Sequence, residues 1–157
     1  MATTEVESIS DSQIRIARVF EAPLALTYAA HTEPAHLTRW LTGPGDMKLV
    51  EATMDMRPEG SIEWRYRGPD STEITMRGTF VEIDAPHRFV HREDWGPDLP
   101  SPLIETAFEQ VDGQTMVTVT YTLPSAGMRD HVVTDGAMAE GFRISHNALD
   151  EFLSSLN

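Results

Sequence analysis

Six histidines and no cysteine bound the chemistry that these 157 residues can carry. Without a thiol there is no cysteine nucleophile, no disulfide framework and no Cys-type zinc site. His31 and His36 fall in the segment "HTEPAHLTRWL" (31 to 41), where a helix-start signal, two histidines and Trp40 precede Gly43-Pro44-Gly45. That pair has neither a third ligand nor an H-E-x-x-H spacing, so no metal is expected there, and both histidines read as surface residues at helix ends. His87 and His91 are four apart on a predicted strand, hence roughly 13 Å apart at about 3.3 Å per residue, too far to share an ion. His91 can still face an interior. Ser145 and His146 are neighbours on a predicted helix and point about 100° apart, the wrong geometry for a nucleophile and its base. The Gly-Pro turns lack the Gly-Lys-Ser/Thr ending of a phosphate cradle. No catalytic constellation is visible and no cofactor is expected. What remains is a set of polar groups, His91, Tyr121, Ser145 and His146, able to assist proton transfer if a shaped apolar pocket holds a substrate beside them.

Such a pocket needs elements to build it. "QIRIARVF" (13 to 20) is short, β-branched and bounded by "EAP", a first strand. Pro23 suits a helix start before "LALTYAAH", and Thr32 is a candidate N-cap for "EPAHLTRWL". From Asp46 the text changes to period two with turn residues at regular intervals, giving six further strands in an antiparallel meander. Asp112-Gly113 is the sharpest hairpin signal and Gly68-Pro69-Asp70 another. At the end, Met138, Phe142, Ser145, Leu149, Phe152 and Leu156 recur at helical spacing on one long helix. Asp135-Gly136 separates it from a shorter helix at about 127 to 134. The expectation is an α+β chain: a strongly curved seven-stranded antiparallel sheet, two short helices after the first strand, and a long C-terminal helix across the sheet. Residues 1 to 12 read as a disordered start and 13 to 157 as a single domain.

A formal net charge of −13 argues against nucleic acid or an anionic membrane as partner. No apolar run approaches the length of a membrane span, and "MATTEVESISDSQ" lacks the features of a signal peptide, so a soluble cytoplasmic protein is expected. The acidic residues are dispersed and read as a solvated surface.

Alternation also assigns faces. Ile62, Trp64 and Tyr66 oppose Glu63, Arg65 and Arg67; Ile74, Met76 and Phe80 share a side; Ile104, Thr106 and Phe108 oppose Leu103, Glu105 and Ala107; Val117, Val119 and Tyr121 oppose Thr118, Thr120 and Thr122. Each of these is ordinary core when taken singly.

Three segments add a resemblance: "ARVFEAPLALTYAAHTEPAHLTRWLTGPG", "MDMRPEGSIEWRYRGPDSTEITMRGTFVEIDAPHRFVHREDW" and "RDHVVTDGAMAEGFRISHNALDEF". Over roughly residues 14 to 155 the chain resembles the heat-shock-protein-90 ATPase activator-like branch of the START and polyketide-cyclase superfamily. The resemblance rests on Val19-Phe20 with Ala22-Pro23, on "P-x-H-L-x-R-W" before Gly-Pro, and on "G-M-x-E-G-W"-like text opening the last helix. Leu41 stands where that branch usually has a second aromatic, and Phe142 where it usually has tryptophan. The resemblance implies a helix-grip fold with a hydrophobic cavity between sheet and long helix, whose mouth the "EPAHLTRWL" helix closes. It implies no particular reaction, since such members include binding proteins, cyclases and aromatases, antibiotic-protection proteins and co-chaperone domains.

The function expected is therefore non-catalytic binding of a hydrophobic, aromatic or polyketide-like small molecule, with antibiotic sequestration as one form of it. The ligand-binding set is Trp40, Trp64, Tyr66, Met76, Phe80, His91, Phe108, Val119, Tyr121, Met138, Gly141, Phe142 and Ser145. A cyclase-like enzyme is the alternative. A chaperone-activating domain is a third reading, weakened because the additional domain of those activators is absent from this chain. Gly141 costs about 1 kcal/mol relative to alanine inside a helix, so it marks either tight contact with the sheet or the roof of an open cavity.

Overall fold

The structure, a computed structural model, describes residues 4–43, 47–97, 101–124 and 137–156, with the side chains of residues 137 and 138 outside that description. In chain order the elements are β1 (Glu5–Ser8), β2 (Gln13–Phe20), α1 (Leu24–Thr32), α2 (Pro34–Leu37), β3 (Lys48–Met54), β4 (Ser61–Arg67), β5 (Glu73–Asp84), β6 (Arg88–Asp94), β7 (Leu103–Val111), β8 (Gln114–Thr122) and α3 (Ala137–Leu156). All strand pairs are antiparallel. They run in the order β1-β2-β8-β7-β6-β5-β4-β3, a curved sheet whose two ends do not meet.

The α+β arrangement is the one expected, with eight strands in place of seven. The extra strand lies in the segment read as disordered. "EVES" carries no apolar alternation; pairing with β2, the Glu7–Arg15 ion pair and Val6 against the core give it a place, so local sequence does not reveal it. Helix boundaries also shift. Thr32 ends α1 and is not a cap; Glu33 is the N-cap of α2, with Pro34 at its first position. The short helix expected at 127 to 134 and the Pro44-Gly45 turn lie outside the described residues.

The topology makes a container. β2 pairs with β8 while β3 occupies the opposite edge, so α1 and α2 carry the chain across one end of the concave face. There α1 packs on β7, β8 and α3, and α2 packs on β3. The hairpin at Asp112-Gly113 has positive φ at both residues (53° and 80°), matching the right-handed twist of β7 and β8. Inward residues form one buried cluster, which includes Ile14, Ile16, Phe20, Ile62, Trp64, Met76, Phe80, Phe108 and Val117. A bulge at Val81 resets the alternation, so that Phe80 pairs with His91 and Ile83 with Phe89, all on the concave side. The convex side carries cross-strand ion pairs such as Arg65–Glu51 and Arg88–Glu105 (2.7 and 2.8 Å). Those are solvent-exposed and contribute little individually.

α3 is tied to the sheet by polar contacts. Arg18, on the inward face of β2, donates from Nη2 to Asp150 Oδ2 (2.7 Å) and from Nη1 to Asn147 Oδ1 (2.8 Å). Its guanidinium also lies 5.3 Å from the Phe20 ring centre. Farther along, Ser145 Oγ accepts from the Thr42 backbone N–H (3.2 Å) and bonds Thr42 Oγ1 (2.5 Å).

Candidate functional site

The interior has two unlike halves. Under α1 it is packed. His31 follows Thr27 by one helical turn, so both face inward and are buried. The His31 ring meets Trp40 (5.0 Å) and Phe108 (4.9 Å) edge to face, and its Nδ1–H donates to Thr27 O (2.8 Å). Trp40 Nε1 donates to Ala30 O at 2.9 Å. The segment "HTEPAHLTRWL" is thus a plug of packed rings, and His31 is not the surface residue expected. Burial pushes its pKa down to about 4. His36 is half-exposed and lies 3.2 Å from Glu33, in keeping with a helix-end position. His87 sits on the turn before β6 and is exposed.

The other half gathers Ile62, Trp64 and Tyr66 of β4, Met76 and Phe80 of β5, His91 and Glu93 of β6, Ile104 of β7 and Tyr121 of β8. Register fixes the neighbourhood: His91 pairs with Phe80 on one side and Ile104 on the other, and Ile104 pairs in turn with Tyr121. Trp64 and His91 have ring centres 5.9 Å apart. Tyr66 stacks on Trp95 at 5.6 Å, and a Cβ on Gly43 would come within 2.6 Å of the Tyr66 ring, so glycine is what lets the chain cross there. From α3, Phe142 meets Tyr121 edge to face at 5.8 Å.

Among these apolar groups lies a buried carboxylate. Glu93 is 6% exposed; its Oε2 accepts from His91 Nε2 and its Oε1 from Trp95 Nε1, each at 3.0 Å. A buried carboxylate is costly unless paired and hydrogen-bonded, and two aromatic N–H donors meet that need here. Burial, with the Glu93 charge second, raises the phenol pKa of both Tyr66 and Tyr121 well above the ordinary value. The phenols therefore stay neutral and able to donate. Two further buried atoms, Trp64 Nε1 and His91 Nδ1, have no hydrogen-bond partner among the described residues. Among those residues no group of three or more His, Asp or Glu converges to hold a metal.

Of the residues predicted from sequence, Trp64, Tyr66, Met76, Phe80, His91 and Tyr121 come together in this half, with Phe142 beside Tyr121. Trp40, Phe108 and Val119 are buried, the first two in the packed half and Val119 between Ile16 and Thr106. Ser145 is buried against Thr42. Gly141, one turn before Ser145, shares its face, and among the described residues a Cβ there would meet nothing within 4 Å. The Met138 side chain lies outside the described residues. Sequence reading misses Glu93 and Arg18, because it assigns charged residues on strands to the solvent side, and it misses Trp95, which follows the last residue of β6. The signal was present: Phe89, His91, Glu93 and Trp95 are one period-two set, as are Ile14, Ile16, Arg18 and Phe20.

The family model described as Activator of Hsp90 ATPase homolog 1-like protein matches residues 21–154. Among solved structures, the chain is similar to a protein from Rhodobacter sphaeroides, with 23% identity, a TM-score of 0.88, and 98% of this chain and 99% of that one covered. It is similar to protein Ms6760 from Mycobacterium smegmatis, with 25% identity, a TM-score of 0.78 and 96% of each chain covered. CalU16 from Micromonospora echinospora is 18% identical over 98% of this chain and 87% of its own, with a TM-score of 0.66. No curated protein gives a significant match.

Proposed function

The chain belongs to the Activator of Hsp90 ATPase homolog 1-like family, and from that premise we propose that it encloses a hydrophobic, aromatic or polyketide-like small molecule between its concave sheet and α3, without transforming it. The observation that carries this is Gly141. It is half-buried, one turn before the buried Ser145 on α3, and among the described residues a Cβ there would meet nothing within 4 Å, which supports a gap between helix and sheet at this turn. The rings expected to line an aromatic ligand are Trp64, Tyr66, Phe80 and Tyr121 of the sheet and Phe142 of α3. Titration with polyaromatic compounds, followed by tryptophan emission, is expected to give a saturable change that Trp64→Phe reduces. Silence across a panel of increasing ring number defeats the proposal.

A cyclase-like activity is the second reading, and the buried His91–Glu93 couple is the observation in its favour, since a histidine oriented by a carboxylate can move a proton. Linear polyketide analogues incubated with the protein would then yield a cyclised product that His91→Phe abolishes. Unchanged starting material removes this reading.

A further inference from the structure

We infer that the enclosed ligand carries a hydroxyl group of phenolic or enolic type, and that Trp64 Nε1 and His91 Nδ1 receive it together. This rests on the proposal of an enclosed aromatic ligand and specifies its chemistry. Both side chains are more than nine-tenths buried, at 8% and 4% exposure, and both lie on the concave face. Each has one nitrogen with no hydrogen-bond partner among the described residues. A buried polar group without a partner is costly, so two in adjacent rings call for a common partner.

The two nitrogens differ in kind. An indole Nε1–H can only donate. The His91 ring has its Nε2 engaged by Glu93 Oε2, an acceptor that fixes the proton on that nitrogen and leaves Nδ1 with a lone pair. Trp95 Nε1, bonded to the other oxygen of Glu93, holds the carboxylate in place from the far side. One donor beside one acceptor is the complement of a single hydroxyl, whose oxygen accepts from Trp64 and whose proton is given to His91. An oxygen making two bonds of about 2.8 Å bridges nitrogens about 5 Å apart, and the two rings are neighbours, with centres 5.9 Å apart. A ketone or ether fills only the acceptor role and leaves Nδ1 facing a lone pair. The surrounding Phe80, Ile104 and Met76 side chains supply the apolar contact that an aromatic ring bearing the hydroxyl needs.

The test compares 2-naphthol with 2-methoxynaphthalene, which share a ring system and differ in the O–H, by calorimetric titration against the intact chain. The wild type is expected to bind 2-naphthol at least about tenfold more tightly. His91→Phe is expected to bring the ratio to within about threefold of unity, chiefly by weakening 2-naphthol, whereas Trp64→Phe is expected to weaken both probes and leave the preference in place, because an ether oxygen accepts from an indole N–H as a phenol oxygen does. A ratio measured on one variant does not depend on how much of it is folded, and if neither variant folds the wild-type ratio alone decides. Equal binding of the two probes to the wild type overturns the inference and leaves the enclosed apolar site standing; the polar pair then serves a water. A tenfold preference that survives His91→Phe, or binding of both probes that Trp64→Phe leaves unchanged, overturns the assignment to these residues. Binding of neither probe, where a larger polyaromatic compound binds, overturns this inference alone; silence of the whole panel overturns the enclosed-ligand proposal with it.

Discussion

Arg18 and Asp150, 132 positions apart, form an ion pair of 2.7 Å that ties the second strand to the long C-terminal helix. The arginine side chain is 2% exposed and the aspartate 35%, so the charge at risk when the pair is broken is the arginine. Removing one partner of a buried pair strands the other. Asp150→Ala is expected to destabilise the fold by about 2 kcal/mol, below the range for a fully buried pair because Asn147 still accepts from Arg18 and Asp150 is partly solvated. Urea unfolding checks this, and a midpoint unchanged from wild type would mean that water already serves the guanidinium.

His31 and His146 predict how stability follows pH. Burial comes first among the causes that lower their pKa values, to about 4 and about 3, and the nearby Arg18 charge adds to the effect at His146. Both are neutral in the fold, whereas the unfolded chain takes up protons near the ordinary value of 6.5. The unfolded state thus binds more protons below that value, and stability that is complete above pH 6.5 falls as pH drops toward the folded values. At pH 5 the loss is about 2 kcal/mol for each histidine, at about 1.4 kcal/mol per unit. Protonating carboxylates relieves the net charge of −13 and acts in the opposite direction, so the comparison is made against a variant. His146→Phe, whose ring fits beside Phe20 and Phe142, is expected to gain about 2 kcal/mol on wild type between pH 7 and pH 5. A constant difference across that range would show that His146 titrates alike in the folded and unfolded chain.

Gly78 has no room for a side chain. It pairs with Ile62 on one side and Glu93 on the other, and a Cβ would lie 2.4 Å from the Arg92 carbonyl oxygen. The obstacle is backbone and cannot rotate away. Gly78→Ala is expected to cost about 1 to 3 kcal/mol, as overpacking does. Thermal unfolding gives the reading, and an unshifted midpoint would mean that β5 and β6 slide apart freely at this register.

Gly141→Leu separates an empty roof from a packed one. Among the described residues nothing meets a Cβ at this position, so leucine is expected to be accepted without loss of stability, and with some gain from burial and helix propensity, about 1 kcal/mol for the latter. By filling the space it should weaken binding of polyaromatic ligands by about tenfold or more. Readier unfolding of the variant, or undiminished binding, would place the ligand elsewhere.

Much of the architecture was legible from residue order, because strand alternation and helical spacing are local properties that each segment carries within itself. The faces of β4, β7 and β8 follow from period two, and the tight hairpin from Asp112-Gly113, whose conformation few other pairs adopt. β1 escaped because its order comes from pairing with β2 and from contacts of Val6 and Glu7 that leave no alternation in the sequence. The same limit applies to the site. Period two puts Glu93 on the side of Phe89 and His91, but nothing local says that a carboxylate is tolerated there. His91 and Trp95 on its own strand make it tolerable, and the surroundings that bury it come from β4, β5 and β8. Likewise Arg18 reads as a surface charge until Asn147 and Asp150 arrive from the far end of the chain. Burial of a charge depends on partners distant in sequence, so the apolar lining was set by the residues in order, and the polar centre within it by tertiary packing alone.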